Sequence, residues 1–375
     1  MHWDLILFTG AGLGLMAASL FAGKAALRRS RASEKSRDRL MNFWLFGTSV
    51  FVGLCVSEGL RRFLYSDVKA TGENMSYFSR RWYAENVVRN SLGFREREVS
   101  STTLPGVFRL AVIGDSFTFG QGVVEEERFT NTMNRRLNDA GPKFEVPNFG
   151  EGGAETIDHI RILDDAALPA NPDFVLLQWF TNDVEGHDKS KRPWAPNLIP
   201  IDWVSNLLQK TSAAYYVVNR GWKDILTFIG LGPEYTYEEY MLRRFADPNS
   251  RDSREAGMAL ERFIAVCRER QVPVGIVLFP HPDDDLTRDD APFAFLFQRV
   301  LDLCLQLCLQ TETPCLDLRP ILAPVRPVER LRVGKFDSHP GPLANRLAAE
   351  AILEKFSQTW RALREQRDPS LATPR

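Results

Sequence analysis

The stretch from Phe108 to Gly120 constrains this chain more than any other. An apolar run through Leu110, Val112 and Ile113 reads as a short buried strand, broken by Gly114, Asp115 and Ser116, with an acidic helical stretch over 125–137 beyond. A strand that ends in a tight turn and feeds a helix is the repeating unit of a parallel sheet. Such a unit leaves the Ser116 hydroxyl at the carboxyl end of its strand, where open α/β sheets assemble their sites.

The same alternation continues downstream. Strands are expected at 144–148, 173–179, 272–279 and 314–318, and helices at 156–167, 252–271, 293–310 and after Pro342. The third strand is apolar through its middle, as a parallel strand covered on both faces should be. The pattern predicts a three-layer α/β/α architecture around a parallel sheet. It breaks over 185–250, where Pro193, Pro196 and Pro200 precede a helix-like stretch near 203–223. That segment is too long for an ordinary connection and reads as an inserted lid or binding subdomain. Its aromatics Trp194, Trp203, Tyr215, Tyr216 and Trp222 would form either the lid's own small core or a carbohydrate-stacking surface. Domain boundaries follow: 1–65 a membrane anchor, 66–105 an approach segment, 106–360 the catalytic-type domain with its insertion, and 361–375 a polar tail.

Two apolar stretches, 5–23 and 40–57, are each about long enough to cross a bilayer, the second near the minimum. The loop between them carries Lys24, Arg28, Arg29, Arg31, Lys35, Arg37 and Arg39 against Glu34 and Asp38. The positive-inside bias puts this loop in the cytoplasm and everything after about residue 65 on the extracytoplasmic side. The alternatives are a cleaved signal peptide for the first stretch and a surface helix for the second; an opening of Met1, His2, Trp3 and Asp4 lacks a signal peptide's basic start. With 47 basic against 48 acidic residues, nothing global points to nucleic acid as a partner. Five cysteines lie outside metal-ligand spacing, so no metal is expected. Cys267, Cys304 and Cys308 read as buried apolar side chains, and a disulfide through Cys315 needs an oxidising compartment.

Four short signals fall at successive strand ends: Ser116, Gly150 after Asn148, Asn182, and His339 with Asp337 two residues before it. A serine hydroxyl needs a neighbouring base to become a nucleophile, and a carbonyl under attack needs donors aimed at its oxyanion. His339 can be that base in a loop before the last helix, oriented by Asp337. The Gly150 N–H and the Asn182 amide can be donors. His159, His187 and His281 read as structural, and Asp283, Asp284 and Asp285 as a solvated loop.

The quartet Ser116, Gly150, Asn182 and His339 resembles the four hallmark positions of the SGNH (GDSL-type) hydrolase superfamily, over roughly residues 90–358. The run Asn90–Arg95, followed by Gly114–Val123, resembles its bacterial membrane-anchored esterase and acetyltransferase-like members. The resemblance implies a flavodoxin-like sheet, Ser116 as nucleophile, His339 as general acid/base and Asp337 as its orienter. The oxyanion hole would be the Ser116 N–H, the Gly150 N–H and the Asn182 side chain, and no cofactor is implied. Two positions depart from the family pattern. Phe336 stands where the Asp three before the His is common, and Phe180 stands two before Asn182, where Gly is usual. The expected activity is cleavage of an O-acyl ester, with acetyl favoured, on an extracytoplasmic glycan or similar acylated substrate. The alternatives are an O-acetyltransferase of the cell envelope, which would need an acyl-donor partner in the membrane, and a non-catalytic membrane-tethered glycan-binding or scaffold protein.

Overall fold

A computed structural model describes residues 33–65, 75–139, 143–185, 195–232, 237–245, 247–281, 294–334 and 337–367, with scattered positions before 33. Most of the apolar stretch 5–23, with His187, Trp194 and Asp283–Asp285, lies outside the described residues. The chain divides into two compact units. The larger comprises residues 69–73, 79–195 and 231–375, and the smaller 1–68, 74–78 and 196–230.

The larger unit is the expected α/β/α sandwich. Its parallel strands are β1 (Phe108–Gly114), β2 (Phe144–Glu145), β3 (Asn148–Gly150), β4 (Phe174–Phe180), β5 (Val274–Phe279) and β6 (Cys315–Asp317). Their order is β2-β1-β4-β5-β6, with β3 also paired to β1. β1 and β5 are buried along their full length, which is why they read as continuous apolar runs. The expected strand at 144–148 is split because Pro147 has no N–H to give, although its carbonyl still accepts from Val112 N–H at 3.0 Å. One core lies on each face of the sheet. Ile113, Leu177, Ile276 and Phe263 belong to the first, and Val112, Leu176, Phe356 and Trp360 to the second.

Several element ends differ from expectation for local reasons. The helix expected over 125–137 is a short turn at Glu125–Glu127 and a helix at Phe129–Leu137. Arg128 between them is extended and fully buried, donating to the Arg95 carbonyl. The last helix runs Pro342–Arg367, longer than the apolar pattern alone indicated. Asp337 and His339 lie on β8 (Asp337–Pro340), paired antiparallel with β7 (Arg332–Gly334), rather than in an irregular loop. All five cysteines are free thiols, with Cys267, Cys304 and Cys308 in the core as expected.

In the smaller unit the helix Glu34–Leu64 is long and apolar enough to cross a membrane, and it is the one such helix among the described residues. Part of the insertion groups with it. The helix-like stretch becomes two helices, Asp202–Thr211 and Ala213–Phe228, broken at Ser212.

Two glycines set how closely the Ser116 turn meets the sheet. A Cβ on Gly150 would come within 2.2 Å of the Phe119 backbone nitrogen, and one on Gly114 within 2.2 Å of Thr118 Oγ1. Backbone cannot step aside as a flexible side chain can, so Gly150→Ala should cost at least about 3 kcal/mol, at the upper end for overpacking. Gly152→Ala, whose nearest neighbour would be 4.0 Å away, should stay within about 0.5 kcal/mol. Chemical denaturation of the two variants side by side tests this, and equal stabilities would refute the close-approach argument.

Candidate active site

Ser116 opens a one-turn helix, Ser116–Phe119, directly after β1. Asp115 caps it, its Oδ1 accepting the Phe117 N–H at 2.8 Å, and Gly120 closes it at φ 75°. Gln178, buried on β4, braces the turn from below. Its Oε1 accepts from Thr118 Oγ1 at 2.8 Å and from the Asp115 and Thr118 N–H groups at 3.2 Å.

The side following the turn is held by the approach segment. Asn90 Oδ1 accepts the Leu92 and Phe94 N–H groups, and Gly93 takes φ 88°, which shapes the bend that brings Arg95 inward. The Arg95 guanidinium, 2% exposed, donates to the carbonyls of Gly120 at 2.7 Å and Val123 at 3.0 Å, and packs over Trp82. Burial, helped by the nearby Arg128 charge, pulls its pKa down to about 10. The run Asn90–Arg95 is thus a clamp on the loop after Ser116.

On the other side of the serine stands His339. Its Nε2 lies 2.8 Å from Ser116 Oγ, and its Nδ1 lies 2.6 Å from Asp337 Oδ1. Successive residues of a strand point to opposite faces, so i and i+2 share one. On β8 the two-residue spacing therefore puts the carboxylate and the imidazole side by side. Asp337 is buried, and the same Oδ1 accepts the His339 N–H at 3.1 Å. A hydroxyl bonded to an imidazole that is itself held by a carboxylate is an arrangement that can move a proton off the oxygen as it attacks. Phe117 packs edge-on to the imidazole, and Gln121 Nε2 lies 3.4 Å from Nδ1.

The two donors expected for an oxyanion stand differently. Asn182 lies in the turn Thr181–Val184 at the end of β4, close enough to the buried Asp115 carboxylate next to Ser116 to offset part of what burial does to its pKa. The Gly150 N–H is given to Asn148 Oδ1 at 2.9 Å, and Gly150 itself is packed under the Phe119 backbone. To serve an oxyanion it would have to give up that bond. Farther along the same loop Gly153 takes φ 79° with open space where a Cβ would stand.

Behind the turn lies a buried polar group that sequence reading left unassembled. Thr156 Oγ1 donates to the Asp183 carbonyl at 3.0 Å and accepts from Trp179 Nε1 at 3.1 Å. Asp183 Oδ2 accepts the Phe180 N–H at 2.6 Å, and its Oδ1 lies 3.4 Å from His159 Nδ1. Burial raises Asp183 well above the carboxylate range, with the Asp115 charge adding to it, and burial lowers His159 to about 3. Both shifts favour a neutral pair over an ion pair. Asp115 is pushed up to about 6, chiefly by burial. His281, beyond β5 at the same edge of the sheet, stacks on Phe180, whose other neighbour is Phe117. The departure from Gly at position 180 thus builds an aromatic stack beside the serine. Among the described residues, no cluster has the make-up of a metal site.

A family model for GDSL-like lipases and acylhydrolases matches residues 112–347, well over half of the chain. The chain belongs to that family. It is an ester-hydrolysing enzyme of SGNH type with the α/β/α fold of the superfamily. Solved structures of similar course include a G-D-S-L lipolytic protein from Veillonella parvula, at 15% identity and TM-score 0.41, covering 67% of this chain and 100% of that one. The acetyl xylan esterase AlAXEase is 15% identical with TM-score 0.44, covering 66% and 100%. A catalytic mutant of Axe2, an acetylxylan esterase from Geobacillus stearothermophilus, is 14% identical with TM-score 0.41, covering 69% and 98%. No curated protein matches the chain.

The buried histidine makes a pH-dependent stability term with a definite sign. Unfolded, His159 titrates near about 6.5; folded, it stays neutral down to about 3. Its contribution is complete above the unfolded value and is lost on acidification at about 1.4 kcal/mol per pH unit. Asp115, raised when folded, acts oppositely: it favours the fold as pH drops from about 6 toward its unfolded value of 3.8. The difference between the enzyme and His159→Gln isolates the histidine. Stability measured from pH 7 to 4 should fall about 1.4 kcal/mol per unit more steeply below pH 6 in the parent. Parallel curves would show that His159 is protonated in the fold.

Proposed function

We propose that Ser116 is the nucleophile, His339 its general acid/base and Asp337 the orienter, in a serine esterase that works through an acyl-enzyme. The observation that carries this reading is the hydrogen-bonded line from Ser116 Oγ through His339 to Asp337, at 2.8 and 2.6 Å. As the serine oxygen attacks the ester carbonyl, Nε2 takes its proton, and the imidazolium is stabilised by the Asp337 carboxylate at Nδ1. The negative charge on the carbonyl oxygen is met by the Ser116 N–H at the start of its helical turn and by the Asn182 amide. The Gly150 N–H joins them if Asn148 releases it. The alcohol departs with the proton from His339. Water then attacks the acyl carbonyl while His339 takes its proton, and as the bond to Ser116 Oγ breaks His339 returns that proton to the serine and the acid leaves.

The favoured substrate is a short O-acyl ester, acetyl foremost, on a glycan or similar molecule outside the cytoplasm. The apolar helix Glu34–Leu64 supports a membrane-inserted enzyme. The basic residues preceding it support an extracytoplasmic catalytic unit.

Intact-mass analysis of the full chain treated with a fluorophosphonate tests the chemistry, with Ser116→Ala and an acetyl-ester turnover assay alongside. One adduct per chain, absent in Ser116→Ala, with turnover falling at least about 10⁴-fold in that variant, is expected. Asn182→Ala should lose about 10²–10³-fold in kcat. Labelling that survives Ser116→Ala would overturn the nucleophile assignment.

A further inference from the structure

Within the smaller unit, the two insertion helices bury polar groups while leaving large apolar side chains uncovered. Beside the buried Ala213 and Leu226, their inward side holds a polar group: Ser205 Oγ and Tyr215 Oη are 2.9 Å apart, and Asn219 accepts the Leu198 N–H at 2.7 Å and donates to Asn197 Oδ1 at 3.1 Å. Outside, large apolar side chains stand uncovered among polar ones. Trp203 and Leu207 are four residues apart on the first helix, 72% and 52% exposed. On the second, Val218, Ile225 and Phe228 recur at helical spacing, with Ile229 just past its end, and Phe228 is 91% exposed. Such a run of uncovered large apolar side chains on a helix pair marks a surface that meets lipid or a partner.

The joint between this pair and the apolar helix fixes what covers that side. Glu58, buried on the helix Glu34–Leu64, accepts from Ser212 Oγ at 2.6 Å and from the Ala213 and Ala214 N–H groups at 3.0 Å. It also accepts from Arg62 at 2.6 Å, and Arg62 donates to the Thr211 carbonyl at 3.3 Å. An acid at the N-terminus of a sixteen-residue helix is further favoured by the helix dipole. The uncharged stretch 40–57 that precedes Glu58, at 1.5 Å rise per residue, spans about 27 Å, close to the thickness of a bilayer's hydrocarbon core. Glu58 and Arg62 therefore fall at the level where acyl chains give way to headgroups. Tyr65, Tyr77, Tyr216 and Trp222 belong to the same unit, with Arg62 over the Tyr77 ring and Phe78 edge-on to Tyr216. Tyr and Trp concentrate at that level of a membrane.

We propose that the helices Asp202–Thr211 and Ala213–Phe228 lie in the bilayer surface, with Trp203, Leu207, Val218, Ile225 and Phe228 seated in lipid and Glu58 as their fastening. The occupant of the apolar side is the same bilayer that the helix Glu34–Leu64 crosses, and the inference rests on that helix being membrane-embedded.

The test uses the full chain in phosphatidylcholine/phosphatidylglycerol nanodiscs carrying a phospholipid with a photoreactive diazirine in its acyl chain, mapped by peptide mass spectrometry. Lipid adducts are expected over both 40–57 and 201–229, the second set on the outward residues. A Trp203→Glu/Phe228→Glu variant should lose the 201–229 adducts about tenfold while keeping those over 40–57. Adducts over 40–57 alone would overturn the proposal and leave the membrane helix standing. Adducts at neither would overturn both. Protein–protein crosslinks in place of lipid adducts at Trp203 or Phe228 would show that a second copy covers this side, and would also overturn it.

Discussion

The site depends on how closely one turn of backbone can lie against the sheet. Residues 116–119 rest on β3 and on Gln178 of β4, with Gly114 and Gly150 leaving room where side chains would otherwise stand. That proximity fixes the height of the serine above the sheet. It also fixes whether the hydroxyl meets an imidazole that arrives from a separate two-stranded ribbon. Gly150 thus has a packing reason to be glycine that is independent of donating to substrate.

Around that turn the protein buries ionisable groups whose charges are costly to hold. Asp115 and Asp183 are both fully buried and both raised, and His159 is held neutral. A carboxylate next to Ser116 that titrates near 6 changes the charge felt by His339 within an ordinary pH range. Such perturbed groups collect where chemistry is done, and they lower the stability of the fold that carries them. The apolar packing on both faces of the sheet supplies the offset.

Much of this was legible in the sequence. The strands appear as apolar runs because parallel strands are covered on both sides, Ser116 and Asn182 stand out because they follow such runs directly, and His339 stands out because Asp337 precedes it by two residues. What stayed hidden were relations between distant residues. Nothing local shows that Asn148 takes the Gly150 N–H, or that His159 meets Asp183 across 24 positions. His281 reads as an ordinary loop histidine until Phe180 is found beneath it. The β7–β8 ribbon was missed because three- and four-residue strands carry too little alternation to register. The insertion was read as a lid or binding subdomain from its length alone. Its uncovered apolar side chains can be told from core ones only once the inward side of each helix is known.

The clamp made by Asn90–Arg95 has a consequence for where the enzyme begins. The family match starts at residue 112 and the first strand at Phe108. Arg95 nevertheless holds two carbonyls of the loop that follows the serine, and Arg128 reaches back to the Arg95 carbonyl. The functional border of the catalytic unit thus lies upstream of its family border. A fragment cut at the sheet would keep Ser116, His339 and Asp337 and release the loop beside them.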